Sequence, residues 1–337
     1  MGLAARILIG EELAPSTLTD ARTSTFIDVK DTYKQYGSFA WRLALSAVIA
    51  TGGIAAGSTA VVIGAMLIAP LMSPMLGTSL AVALGDGKAT VRTLLITLAG
   101  MLGSILIAAL VAVVIPVDID TSTNSEVLSR VSPRLVDMIV AVAAGLMASL
   151  SIMRKDIPDA IPGVAISASI VPPLCVAGIS LWAMDWPAVF GSMMLFLANY
   201  FGIQVVSVLV FLALGIGREK GKMRVDKARV IWYVSAILGF ILVGAVLAYT
   251  SYEMVKDASE EKELRIISKE WLEDTGYSLY SVNVADNELD LEIAGSGPVP
   301  SVEELHAMLQ DQDVDVSTVK AVVLYETVSV VEPEADE

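Results

Sequence analysis

STAVVIGAMLIAPLMSPMLGTSLAVALGD, residues 58–86, decides how this chain folds. It carries no charged residue before Asp86. A run of about 20 apolar residues spans the hydrocarbon core of a bilayer as a helix, and only helices and closed barrels satisfy the backbone there. The run does not alternate apolar and polar residues with period two, so a barrel strand is excluded. It is also interrupted, by Pro70 and Pro74. Inside a helix, proline removes one backbone hydrogen bond and pushes away the carbonyl four residues earlier. The pattern predicts a spanning helix loosened near its middle.

Outward from that stretch the same composition recurs. The chain has 337 residues, 55% of them hydrophobic, with a mean hydropathy of +0.69. Seven apolar segments follow: Phe39–Gly57, Thr59–Leu84, Leu94–Ile115, Leu135–Met153, Ile161–Met184, Ala188–Ile216 and Val230–Thr250. The fold class expected is an α-helical polytopic membrane protein of about seven transmembrane helices with a small C-terminal α+β soluble domain. Residues 1–38 are a polar lead-in without the pattern of a cleaved signal peptide, so the first span is expected to act as the insertion signal. Within the lead-in, Phe26–Tyr36 interleaves acids, bases and aromatics. It reads either as an amphipathic helix on the membrane surface or as a solvated connection.

Short loops rich in Lys and Arg favour the cytoplasm. The loop between segments six and seven holds Arg218, Lys220, Lys222, Arg224, Lys227 and Arg229. Placing it inside also places Lys30 and Lys34, Lys88 and Arg92, and Arg154 and Lys155 inside. Residues 116–134 then fall outside, although they carry Arg130 and Arg134. An odd number of spans puts residues 251–337 outside.

The second and fifth segments can be laid over each other. GAMLIAPLMSPML (64–76) aligns with GVAISASIVPPLC (163–175), with Gly64 on Gly163 and Pro74 on Pro173 at one offset of 99 residues. Segments one to three would form one unit and four to six another. Three spans per unit is odd, so the units would enter from opposite sides: an inverted 3+3 repeat, as in many secondary transporters. Pro172 and Pro173 should loosen the fifth segment as Pro70 and Pro74 loosen the second. Paired broken helices at corresponding positions point to a transport site; two kinked helices packed on small neighbours are the bland alternative. Polar residues that could line a path are Ser73, Ser167, Ser169, Asn199 and Gln204, each of which could equally glue helices together. Asp137 is a further candidate, because an intramembrane carboxylate is costly and usually functional. Gly52, Gly53 and Gly57 form a small-residue face for close helix packing within the chain or between subunits. That face, with the prevalence of symmetric assemblies, suggests a homo-oligomer.

Residues 251–337 are of another kind, with 5 Lys and Arg against 22 Asp and Glu, whereas residues 1–250 carry 17 against 15. An acidic part of that size speaks against nucleic acid as a partner. Residues 251–331 read as helix (260–274), a strand pair around Asp286–Asn287, a helix opened by the Ser301/Glu304 capping box, and a strand over 318–331. Residues 332–337 read as disordered. No nucleophile–base pair, phosphate loop or dinucleotide fingerprint is visible, so no enzyme activity and no cofactor are expected. His306 has no second ligand for a metal. Asp311, Asp313 and Asp315 begin like a calcium loop, but Val316 and Val322 stand where its glycine and glutamate belong. Asp286, Glu288, Asp290 and Glu292 alternate along a strand and read as a solvated face. One cysteine, Cys175, excludes an intrachain disulfide.

Three blocks resemble a known family: residues 58–86, PGVAISASIVPPLCVAG (162–178) and LFLANY (195–200). They are similar to the hallmark blocks of the domain-of-unknown-function family number 389, uncharacterised hydrophobic membrane proteins of bacteria and archaea. The resemblance covers most of residues 40–215 and places Pro70, Pro74, Pro172, Pro173 and Asn199 on motif positions. It implies a multi-span protein of a prokaryotic cell membrane and supplies no activity. The leading expectation is a transporter or channel for a small solute or ion, its path between segments two and five. The alternative is a non-transporting sensor or scaffold whose acidic outer domain binds a partner or cations.

Overall fold

The structure is a computed structural model that describes residues 15–115, 119, 121–154, 170–219, 222–223, 227–273, 275–285, 288–295, 298, 300–311 and 318–325. Helix α1 (Pro15–Ser24) ends in a tight turn at Phe26, whose φ of 65° is left-handed. Phe26–Tyr36 is therefore not one amphipathic helix. Phe26 and Ile27 are buried instead, Phe26 packing edge-on against Phe39. Helix α2 (Thr32–Ala55) starts where the Asp31 carboxylate accepts a hydrogen bond from the Lys34 amide at 3.0 Å. It opens well before Phe39, because a cap and not the onset of apolarity fixes a helix start. The turn after α2 is made by Gly57 (φ 61°).

The second apolar segment is two helices, α3 (Thr59–Ile68) and α4 (Met72–Leu84), bent by 49° at the break. Pro70 stands in the break. Pro74 lies in the first turn of α4, where a backbone N–H would have no helical partner anyway. Helix α5 (Gly87–Val114) follows, then the short α6 (Ser125–Val131) and α7 (Leu135–Met153). The fifth segment is described only from Ile170. There Pro172 and Pro173 occupy the first turn of α8 (Val171–Trp182); the residues before it, 155–169, lie outside the described residues. Helix α9 (Trp186–Ala213) and a two-residue hairpin, β1 (Arg218–Glu219) with β2 (Lys222–Met223), lead to α10 (Lys227–Trp271). This helix of 45 residues unites the seventh apolar segment with the helix expected over 260–274. No glycine or proline interrupts residues 245–271, so nothing local ends it where the composition turns from apolar to charged. Five described helices are long and apolar enough to cross a membrane, six if the bent pair counts as one span.

The chain divides into two compact units, 1–249 and 250–337. In the first, the ends of the helices gather in two sets. Ala21, Ile27, Ala83, Ala89, Met153 and Phe211 share one apolar cluster, and Arg92 donates to the Ile27 carbonyl. At the other set, Thr59 donates to the Glu126 carboxylate, Asn124 Nδ2 to Ile54 O at 2.9 Å, and Thr121 Oγ1 to Asp185 at 2.7 Å. Helices of 24–28 residues separate the sets by about 36–42 Å. Outward-facing side chains of α5 such as Leu95, Leu102, Leu106 and Val113 are 58–61% exposed, a surface suited to lipid and not to water.

Local geometry recurs at the 99-residue offset. Asp86 caps α5 by accepting from Ala89 N at 3.0 Å, and Asp185 caps α9 by accepting from Ala188 N at 3.1 Å. Gly85 and Met184, which precede them, both have positive φ, 75° and 58°. The turn is closed by Asp86 N to Ala81 O in one case and Asp185 N to Ser180 O in the other, both 2.9 Å. Thr93 and Ser192 each return a hydroxyl hydrogen bond to the carbonyls three and four residues earlier.

In the second unit, β3 (Tyr277–Ala285) pairs antiparallel with β4 (Glu288–Gly295), which pairs parallel with β5 (Thr318–Tyr325). Leu289, Leu291 and Ile293 of β4 face a core shared with Leu264, Ile267 and Trp271 of α10 and with Leu305 and Leu309 of α11 (Val302–Asp311). The intermediate residues Asp290 and Glu292 lie on the opposite face, and Glu292 accepts from Ser281 Oγ at 2.9 Å. Residues 286–287, 312–317 and 326–337 lie outside the described residues.

Candidate functional site

The break between α3 and α4 opens a cavity of about 440 Å³. Pro70 and Ser73 line it from the break, Thr23 and Ser24 from α1, and Lys34, Ser38 and Arg42 from α2. Breaking a helix frees carbonyls that must find partners at membrane depth. Here Arg42 Nε donates to Ile68 O, the carbonyl of the last residue of α3, at 3.2 Å. Arg42 stands ten residues into α2, so about 15 Å along the helix from its start.

The electrostatics of the cavity are one-sided. Lys30, Lys34 and Arg42 face it with a single carboxylate, Asp31, which is engaged in capping α2. Asp28, close by, is bound by Arg22 at 2.7 and 3.1 Å. That hydrogen bond holds the Asp28 carboxyl below its ordinary range and raises the Arg22 guanidinium above its own.

The other sequence candidates do not converge on this cavity. Pro74, Pro172 and Pro173 are buried in the first turns of α4 and α8. Ser167 and Ser169 lie outside the described residues. Asn199 is 1% exposed and donates from Nδ2 to Leu195 O of its own helix at 2.9 Å. Gln204 ties α9 to α4: Nε2 donates to Met75 O at 2.9 Å, and Oε1 accepts from Ser79 Oγ at 2.6 Å. Asp137 stands in the first turn of α7, where its carboxylate accepts from the Arg134 amide at 2.7 Å. Of the small-residue face, only Gly53 meets a neighbour, since a Cβ there would lie 2.9 Å from Val62 Cγ2. Gly52 faces open space, and Gly57 is needed for its turn. Among the described residues no three His, Cys, Asp or Glu side chains converge as metal ligands.

Arg42, Lys34 and Ser38 were not singled out by hydropathy, yet the signal exists. Asp31, Lys34, Gln35, Ser38 and Arg42 fall at i, i+3, i+4, i+7 and i+11, one face of a helix. It becomes readable once Asp31 is recognised as a cap and the helix is started there. At the other set of helix ends, Glu126 is 5% exposed and pairs with Arg130 Nη1 at 2.9 Å.

Long apolar helices, a bent pair beside a cationic cavity, and a separate α+β unit have the lengths and composition of a helical membrane protein. Residues 66–205 match the model of the family described as Domain of unknown function (DUF389), so the resemblance carried by the three sequence blocks holds. The chain is also similar to an uncharacterised protein of Methanocaldococcus jannaschii, 30% identical over 112 residues. That alignment covers 32% of this chain and 35% of the relative, so the chain spans about a third of the length of the curated relative it matches. No solved structure matches the chain.

Proposed function

We propose that the first unit is a transporter or channel for a small solute or ion. The observation that carries this is the break at Pro70, with its freed carbonyl held by Arg42 at the edge of a polar cavity. A helix opened at depth beside a polar space is the feature around which transporter sites are built. The reading extends to an inverted repeat of seven spans in a prokaryotic inner membrane. In its support, α2, α4 and α5 correspond at the 99-residue offset to α7, α8 and α9, and each runs in the opposite sense between the two sets of helix ends. A symmetric homo-oligomer belongs to the same proposal, with the uncovered Gly52 face as one contact.

The test is a flux screen in proteoliposomes over common ions and small metabolites, with Pro70→Ala, Pro173→Ala and Asn199→Ala alongside. At least one solute should pass, and Pro70→Ala should change its rate several-fold while the eluted oligomer size stays that of the original protein. Well-folded protein that passes nothing in the screen removes this reading and leaves the scaffold role.

A further inference from the structure

We propose that the cavity beside the α3–α4 break binds a phosphate group. This names a ligand class for the site described above and rests on the reading that the cavity is the functional one. Three observations meet there. First, the lining carries three cations, Lys30, Lys34 and Arg42, against the one carboxylate of Asp31. The excess of two positive charges fits a phosphate dianion and repels metal cations. Second, Arg42 gives only Nε to the Ile68 carbonyl. Its two terminal nitrogens remain for a ligand, and a guanidinium fork matches two oxygens of one phosphate. Third, α4, a helix of 13 residues, begins at this cavity with no side chain capping it, and Ser73 of its first turn lines the wall. The uncapped amides of Met72 and Ser73 (Pro74 has none) and the helix dipole favour an anion. Phe26, Phe39 and Pro70 add apolar lining, which strengthens charge-assisted hydrogen bonds; Gln35 also lines the cavity and can turn its amide N–H groups to the ligand.

A phosphate group can come from a free ion or ester, or from a lipid headgroup, and the experiment separates the two. Full-length protein in maltoside micelles, washed free of phosphate, is titrated with radiolabelled inorganic phosphate by equilibrium dialysis. Saturable binding is expected. Arg42→Lys, which keeps the charge and loses the fork, and Lys34→Gln, at an exposed mouth position, should each weaken it by about tenfold. Both variants should elute as the original protein does; should Arg42→Lys not fold, Lys34→Gln and Lys30→Gln decide alone. The titration is repeated in nanodiscs of phosphatidylcholine and of phosphatidylglycerol, with native mass spectrometry of retained lipid. Binding unchanged in both discs supports a free phosphate. Binding lost in phosphatidylglycerol discs, with that lipid retained by the original protein and not by Lys34→Gln, supports a headgroup. No saturable phosphate binding and no lipid retention sensitive to these residues overturns the proposal, as does binding that the variants leave unchanged. Flux is not used, so a protein that binds phosphate and transports nothing keeps this inference and loses the transport reading.

Discussion

A single polar side chain inside this bundle can hold helices together or serve a path, and Gln204 shows how hydrogen bonds separate the two. Its amide gives one N–H to Met75 O and accepts at Oε1 from the Ser79 hydroxyl, both on α4. With both ends of the amide engaged and the residue 1% exposed, little remains for a passing solute. Gln204→Leu should destabilise the protein by about 1–2 kcal/mol, since the Met75 carbonyl and Ser79 hydroxyl lose their partner in a dry place. Denaturant titration of the purified protein reads this directly, and an unshifted midpoint would contradict the tie. Arg42 is the opposite case, with one donor engaged and the rest available. Hydropathy passed over Arg42 because the apolar run begins only at Phe39, which makes the arginine look like an edge residue. Asp31 corrects the reading: a cap there moves the helix start outward and carries Arg42 inward.

At the scale of elements, the two proline pairs were legible as places where helices stop being regular, but their separate roles were not. Pro70 breaks and Pro74 begins, a difference set by where α4 starts, which apolarity alone does not mark. The length of α10 was hidden for a related reason: composition changes near Tyr249, while backbone hydrogen bonding is indifferent to whether side chains are apolar or charged. The recurring turn before α5 and α9 supplies a quantitative test. Gly85 adopts its φ of 75° freely, whereas Met184 adopts 58° against the clash of its Cβ with the backbone. Met184 is 73% exposed, so its side chain contributes little packing. Met184→Gly should therefore stabilise the protein by about 0.5–1 kcal/mol, and Gly85→Ala should destabilise it by a similar amount. Opposite shifts in thermal midpoint are the expected result; shifts of the same sign would mean that the two turns are not equivalent.

For the whole molecule, the question is how many times the chain crosses the membrane, and the two sets of helix ends narrow it. Ile27, Arg92, Met153 and Phe211 lie in the first set. Ile54, Thr59, Glu126 and Asp185 lie in the second. The chain must then pass from the first set to the second between Met153 and Asp185, whatever path residues 155–169 take. The bent pair likewise leads from Thr59 to Ala83, from the second set to the first. Residues 230–252 are the last of the five helices long and apolar enough to cross, six with the bent pair; the proposed seventh crossing would be the one between Met153 and Asp185. The proposed orientation rests on charge. Lys30, Lys34, Lys88, Arg92 and Arg154 belong to the first set. Arg130, paired with Glu126 at 2.9 Å, and Arg134 stand at the second set and count against the proposed cytoplasmic first set, two cations against five. In intact cells carrying a Cys175→Ser background, an impermeant thiol reagent should label Asp290→Cys and spare Lys222→Cys. Labelling of residue 222 alone would reverse the orientation, and labelling of both or neither would mean that the chain does not cross between them.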